Sequence, residues 1–194
     1  MNSAQPNGAR PDNAPPNGAR PDSARPNGAR RSYEARVLVV PLGTDATRAQ
    51  VAMLGSGLDG LMTVRGVTAS TGVDGDVPRL GSVPLGEHGW RPAFDDLGVA
   101  ELVDTADMVV LLATDLAEVP GPLCLNLAEA ARANGSLIAA LVVGSRNWDT
   151  PMGNTAMATL REAADMLVVL RGTELAAHFL DVLRGGPREP AVAS

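Results

Sequence analysis

The chain has 194 residues, 45% hydrophobic and only 3% aromatic, so we expect one core built from Val, Leu, Ala and Met and no stacking of bases on exposed rings. All 16 basic residues are Arg, which excludes phosphate loops of the GxxxxGK[ST] type and Schiff-base enzymes, because both require Lys. The net charge is −6 and residues 33–194 alone carry −9, so the folded part lacks the basic surface that nucleic acid binding requires.

The first 33 residues are dominated by a repeat with a period of ten. The motif Pro-Asn-Gly-Ala-Arg starts at Pro6, Pro16 and Pro26, and residues 1–32 carry a net charge of +3. So few large side chains cannot offset an ordering entropy of about 1–2 kcal/mol per residue, and we therefore predict disorder for residues 1–33. Two interpretations stay open: a tether or docking tail that places the domain beside a partner, or a low-complexity extension without a role.

A βα unit is predicted directly after this tail. The run Arg36–Pro41 is almost continuously apolar, which is typical of a strand buried on both faces of a parallel sheet. Gly43, Thr44 and Asp45 then form a turn, and Thr44 or Asp45 is the predicted N-cap of a helix over Ala46–Leu54.

Strands and helices then alternate along the rest of the domain. We predict strands over residues 61–67, 108–113, 137–143 and 166–170, and a short strand near Leu80 within a long loop over 68–91. We predict helices over residues 93–104, 123–134, 155–164 and 174–183. This spacing predicts an α/β fold of three layers, Rossmann-like, with a mostly parallel sheet and helices on both faces. The domain is assigned to residues 34–186, and residues 187–194 are predicted to form a disordered C-terminus.

Five segments of the domain carry a resemblance to a known family. They are Arg36-Val-Leu-Val-Val-Pro-Leu-Gly43, Ala106-Asp-Met-Val-Val-Leu-Leu-Ala113, Leu127-Ala-Glu-Ala-Ala-Arg132, Leu160-Arg-Glu-Ala-Ala-Asp-Met-Leu-Val-Val169 and Phe179-Leu-Asp-Val-Leu-Arg184. In this order they resemble successive landmarks of FtsZ, the bacterial homologue of tubulin, over roughly residues 36–186. The resemblance implies a nucleotide-binding domain whose ligand would be GTP or GDP.

The departures from that family fall on its phosphate loops. In the family a GGGTGTG loop holds the triphosphate through backbone amides, which glycine leaves unobstructed. Alignment without gaps places Leu116-Ala-Glu-Val-Pro-Gly-Pro122 on that loop. Pro120 and Pro122 lack amide donors, and Glu118 adds a negative charge where phosphates would lie.

The resemblance also implies that hydrolysis is lost. The family's first phosphate turn falls on Pro41–Asp45, which keeps a single glycine. Its hydrolytic carboxylates come from a loop after the central helix, and the matching helix, Glu174–Leu183, is followed by Gly185 instead. We therefore expect no GTPase activity and no catalytic residues.

Four positions are interpreted as the vestige of a cofactor site: Gly43, Thr44, Asp45 and Gly121. They could hold an anion at a helix N-terminus, but plain turn and cap chemistry is the favoured interpretation. We expect no bound cofactor, with GTP and GDP disfavoured. No metal site is expected either, because the chain has only two His and neither has a second ligand at metal spacing.

The polar stretch Ser145–Pro151 follows the end of a predicted strand, where ligand loops of such sheets lie. Arg146 and Trp148 in it are candidate interaction residues, and a Trp that covers the edge of the core is an equal alternative. The adjacent carboxylates Asp95 and Asp96 are interpreted as charges at a helix start rather than as an acid-base pair.

The function expected from these observations is that of an interaction or scaffold protein, with a protein partner or a second copy of itself. The alternative is a GTP- or GDP-binding protein or a small-molecule enzyme, with its pocket formed by Gly43–Asp45, Leu116–Gly121 and Ser145–Thr150. The lone Cys124 cannot form an internal disulfide, and no apolar run approaches the ~20 residues that span a bilayer. We therefore expect a cytoplasmic protein with no membrane span.

Overall fold

The structure of the protein is a computed structural model that describes residues 34–186. The predictions of disorder for residues 1–33 and 187–194 lie outside the described residues. The strands are β1 (Val37–Pro41), β2 (Met62–Arg65), β3 (Arg79–Pro84), β4 (Phe94–Gly98), β5 (Met108–Asp115), β6 (Leu137–Arg146) and β7 (Met166–Leu170). The helices are α1 (Thr44–Met53), α2 (Val99–Val103), α3 (Gly121–Asn134), α4 (Pro151–Ala163) and α5 (Thr173–Arg184).

All seven strands form one sheet, in the order β4-β3-β2-β1-β5-β6-β7. Strands β2, β1, β5, β6 and β7 run parallel, whereas β3 and β4 add an antiparallel edge. The central strand β1 is fully buried and pairs with β2 on one side and with β5 on the other. The predicted α/β fold with a mostly parallel sheet is confirmed.

Helices cover both faces of the sheet, so the core has two halves. On β1, Val37 and Val39 face one half, which α1 and α5 complete, while Leu38 and Val40 face the other half with α2, α3 and α4. Because both faces are covered, the central strands are apolar at consecutive positions rather than at alternate ones. None of the helices in residues 34–186 is long and apolar enough to cross a membrane.

The predicted helix over residues 93–104 is wrong in its first half. Residues Phe94–Gly98 form the edge strand β4, and only Val99–Val103 are helical. The Asp95 carboxylate accepts a hydrogen bond from Arg65 at 2.7 Å, and the Asp96 carboxylate accepts one from Arg79 at 2.8 Å. The two carboxylates therefore neutralise arginines of β2 and β3, and neither lies at a helix start.

Helix α4 begins four residues earlier than predicted, and its start is closely packed. The Thr150 hydroxyl is the N-cap and accepts a hydrogen bond from the Gly153 amide at 3.0 Å, with Pro151 at the first helical position. A Cβ atom built on Gly153 would lie 1.9 Å from the carbonyl oxygen of Asn147. The loop before α4 therefore approaches the helix too closely for any side chain at position 153.

Replacing Gly153 with alanine should destabilise the fold by about 1–3 kcal/mol, because the loop must move to accommodate the methyl group. The matched control is Gly55→Ala, since nothing lies within 4 Å of a Cβ atom at that position. It should leave the free energy of unfolding within about 1 kcal/mol of the unmodified protein. Urea unfolding measures both, and equal stabilities for the two variants would contradict the close packing.

Candidate functional site

The candidate site lies at the carboxyl end of β1 and β5. The chain leaves β1 for α1 on one face of the sheet and leaves β5 for α3 on the opposite face. Sheets of this type bind ligands in the crevice that opens where neighbouring strands diverge in this way. The first turn of α1, the segment after β5 and the loop after β6 all meet at this edge.

The amino-terminal end of α1 contacts a carboxylate from the same chain. Glu118 Oε2 accepts a hydrogen bond from the backbone amide of Asp45 at 2.9 Å. Gly43 is the N-cap residue with φ +97°, so the predictions of Thr44 or Asp45 as N-cap are wrong. A Cβ atom on Gly43 would lie 2.4 Å from Glu118 Oε2. Gly43 is therefore required both by its backbone conformation and by the proximity of Glu118.

An ion-pair network joins α1 to the neighbouring strands. The Asp45 carboxylate binds the guanidinium groups of Arg48 and Arg146. Arg146 Nε also lies 3.8 Å from Asp115 Oδ2 at the end of β5. The carboxylates of Asp45 and Asp115 are 19% and 10% exposed, whereas the Arg146 side chain is 67% exposed. Arg146 therefore bridges two largely covered acids from the solvent side.

Asp115 holds the segment after β5 in place. Its Oδ1 atom accepts hydrogen bonds from Asn147 Nδ2 at 2.5 Å and from the Ala117 amide at 2.9 Å. The hydrogen bond from Asn147 lowers the pKa of Asp115 below its usual value, and the Ala117 amide and the Arg146 charge act in the same direction against desolvation. The charged form of Asp115 is therefore the one that the fold stabilises.

Asp115 and Asn147 are not among the predicted site residues, although Asn147 lies within the predicted polar stretch Ser145–Pro151. Two local features could have indicated them. Asp115 is an acid at the end of a buried strand, where a carboxylate can accept a hydrogen bond from the amide two residues later, and Asn147 lies in a turn. Asn147 has φ +60°, a backbone conformation that Asn tolerates better than most residues. Neither signal identifies the partner, because the two residues are 32 positions apart.

Gly121 does not line the same place as the other three vestigial positions. It is the first residue of α3, preceded by Pro120 at the N-cap and followed by Pro122. It lines a shallow depression of about 340 Å³ between the starts of α3 and α4, beside Thr155 and Thr159. The structure thus brings Gly43, Thr44 and Asp45 together with Arg146, and leaves Gly121 on a neighbouring surface.

Trp148 lies in the loop before α4 and is 38% exposed, and Met152 on the first turn of α4 is 62% exposed. These two large apolar side chains are exposed in the loop after β6 and at the start of α4. Cys124 lies in the core on α3, and burial raises the pKa of its thiol to about 12. Cys124 is therefore a packing residue rather than a nucleophile.

Residues 34–186 contain no group of three or more His, Cys, Asp or Glu side chains arranged to hold a metal ion. Comparison of the sequence with protein-family models and with curated proteins found no match.

Replacing Asp115 with asparagine should reduce the free energy of unfolding at neutral pH by about 1.5–3 kcal/mol, the value of a hydrogen bond to a charged group. The pKa of Asp115 is lower in the folded protein than in the unfolded chain, where it is near 3.9. The stabilisation by its charged form is therefore fully present above pH 3.9 and is lost as the pH falls through the pKa of the folded state. The variant should therefore lose less stability than the unmodified protein on acidification.

Urea unfolding between pH 7 and acidic pH measures this difference. Asp95→Asn is the matched control, because that side chain is 95% exposed and pairs only at the surface with Arg65. If the free energy of unfolding changed equally with pH in Asp115→Asn and in the unmodified protein, the charged form of Asp115 would not stabilise the fold.

Proposed function

We propose that this chain is a degenerate domain of the FtsZ/tubulin type, which acts as an interaction or scaffold protein and does not hydrolyse GTP. The collinear order of the five family-like segments supports the relationship. A parallel sheet with its topological switch between β1 and β5 is compatible with a nucleotide-binding ancestor.

The observation that carries this proposal is the contact between Glu118 and the Asp45 amide. The amides at the start of a helix are the groups that bind phosphate in such sheets, because they point outward at the positive end of the helix dipole. Here a carboxylate of the same chain accepts the hydrogen bond at 2.9 Å. A phosphate would have to displace the Glu118 carboxylate, which is part of the chain and loses no translational freedom when it binds the amide. The negative charge of Glu118 would also repel the phosphate.

The surrounding charges give a nucleotide little to gain. The arginines near the start of α1, Arg48 and Arg146, are already paired with Asp45, and Arg146 also lies near Asp115. At the start of α3, Pro120 and Pro122 have no amide hydrogen to donate to phosphate. A phosphate at this position would therefore compete with the existing ion pairs of Asp45, and the two prolines would offer it no amide donors.

A protein partner or a second copy is the proposed ligand. Trp148 in the loop after β6 and Met152 on the first turn of α4 are exposed, and aromatic and methionine side chains are enriched in protein interfaces. Arg146 is exposed next to them and can contact a partner with the part of its guanidinium group that faces solvent. The proposed location is the cytoplasm, since the single buried Cys124 requires no oxidising compartment.

Isothermal titration calorimetry of the full chain with GTP, GDP and ATP, with and without Mg²⁺, tests the proposal. We expect no binding in the micromolar range for any of the three, because Glu118 occupies the position that phosphate would take. Micromolar binding would contradict the proposal and would favour the alternative of a nucleotide-binding protein or enzyme on the same sheet.

A variant tests the physical reason separately. Glu118→Ala removes the competing carboxylate and leaves the Asp45 amide open, so millimolar inorganic phosphate should shift the Asp45 amide resonance in an NMR titration. The unmodified protein and the matched variant Glu129→Ala, at an exposed position on α3, should show no such shift. Equal shifts in all three proteins would mean that Glu118 does not block the helix end.

A further inference from the structure

A continuous groove runs over the surface between α3, α4 and the loop that follows β2. It consists of two adjoining depressions of about 340 and 570 Å³ that share Gly121, Thr155 and Thr159. Leu125 on α3 and Met152 on α4 are 39% and 62% exposed along it. We call this surface the α3/α4 groove. It adjoins the candidate site, because Ala117 and Val119 on either side of Glu118 line one of the two depressions.

The α3/α4 groove is apolar with one charged wall. Its lining side chains are uncharged apart from Asp76, which lies in the loop after β2 two residues from Asp74. Glu129 continues the exposed face of α3 one turn beyond Leu125. The nearest arginine along α3, Arg132, already donates hydrogen bonds to the carbonyl oxygens of Glu162 and Ala163. The groove is thus suited to a ligand that combines small apolar groups with positive charge.

The N-terminal repeat of this chain has that chemistry. Residues 1–32 carry a net charge of +3 against −9 for the remaining residues, and the motif Pro-Asn-Gly-Ala-Arg occurs three times. A segment that contains proline loses less conformational entropy when it binds, because proline already restricts the free chain. Arginine within the motif can pair with Asp76 or Asp74.

We propose that the N-terminal repeat docks into the α3/α4 groove of its own chain, with the proline and alanine side chains over Leu125 and Thr159 and an arginine beside Asp76. This inference goes beyond the proposed scaffold function and does not depend on whether a nucleotide binds.

The length of the tail allows this contact. The described chain begins at Glu34, beside the amino end of β1, where the Ala35 amide donates a hydrogen bond to the Arg184 carbonyl oxygen at 2.8 Å. The groove lies near the opposite end of the sheet, and β5 spans about 26 Å at 3.3 Å per residue. The second copy of the motif, Pro16–Arg20, ends 14 residues before Glu34, and these can extend to about 46 Å.

Tethering makes even a weak contact effective. A short flexible linker holds its ligand at an effective concentration on the order of millimolar, so a motif with a dissociation constant of about 1 mM would occupy the groove for a large part of the time. Three copies of the motif raise this occupancy further, since any of them within reach can bind.

Paramagnetic relaxation enhancement on the full chain tests the proposal. Ser23→Cys places a single reactive thiol in the tail, because Cys124 is buried and its pKa is raised to about 12. With a nitroxide at position 23, the amide resonances of Leu125, Asn126, Thr155 and Thr159 should lose most of their intensity. Resonances of α1 on the opposite face, such as that of Val51, should keep theirs.

Two further variants separate docking from chance proximity. Thr155→Arg places bulk and positive charge in the groove and should restore the lost intensity, whereas Ala158→Arg, at an exposed position of α4 outside the lining, should not. Both substitutions add the same charge to the same helix. Equal effects of the two, or broadening spread evenly over the domain, would overturn the proposal.

A mixed sample identifies whose tail is bound. Chains that carry the nitroxide but no ¹⁵N are mixed with ¹⁵N-labelled chains that carry no nitroxide. Docking within one chain predicts no broadening in the ¹⁵N spectrum of this mixture. Broadening of the groove resonances in this mixture would mean that the tail of a second copy binds there, which would overturn docking within one chain.

Discussion

The hydrogen bond from the Asp45 amide to the Glu118 carboxylate decides what this sheet edge can do. The first amides of α1 have no partner within the helix, and the dipole of the helix favours a negative charge beside them by about 0.3–1 kcal/mol. In related architectures a ligand phosphate supplies that charge, and here the chain supplies it itself. The Asp45 amide at the start of α1 is therefore already bonded within the chain, and Gly43 is required so that Glu118 can approach.

The other groups of the same edge strengthen this arrangement. Arg146 connects Asp45 on α1 with Asp115 on β5, and Asn147 fixes Asp115 from the loop after β6. What would be a ligand crevice is thus a joint that fastens three segments of the chain to one another. Exposed apolar side chains and a groove remain on the surface outside that joint, and these features suit a protein or peptide ligand better than a small anion.

The layered fold was predictable because its strongest signals are local. Runs such as Val37–Val40 are apolar at consecutive positions, and glycine and proline mark the turns between them. The edge strand β4 was missed because its exposed residues Asp95 and Asp96 are paired with arginines of other strands, which no local pattern reveals. The family resemblance predicted a negative charge of Glu118 beside the phosphate position, and that remains a prediction. The contact of Glu118 with the Asp45 amide joins residues 73 positions apart and required the fold.

A crystal structure of the full chain grown with millimolar GDP and Mg²⁺ would show which group binds the amides at the start of α1. We expect that Glu118 Oε2 accepts the hydrogen bond from the Asp45 amide in those crystals and that no nucleotide lies at the carboxyl ends of β1 and β5. Nucleotide phosphates bound to the amides at the start of α1, with the Glu118 side chain displaced, would contradict this expectation.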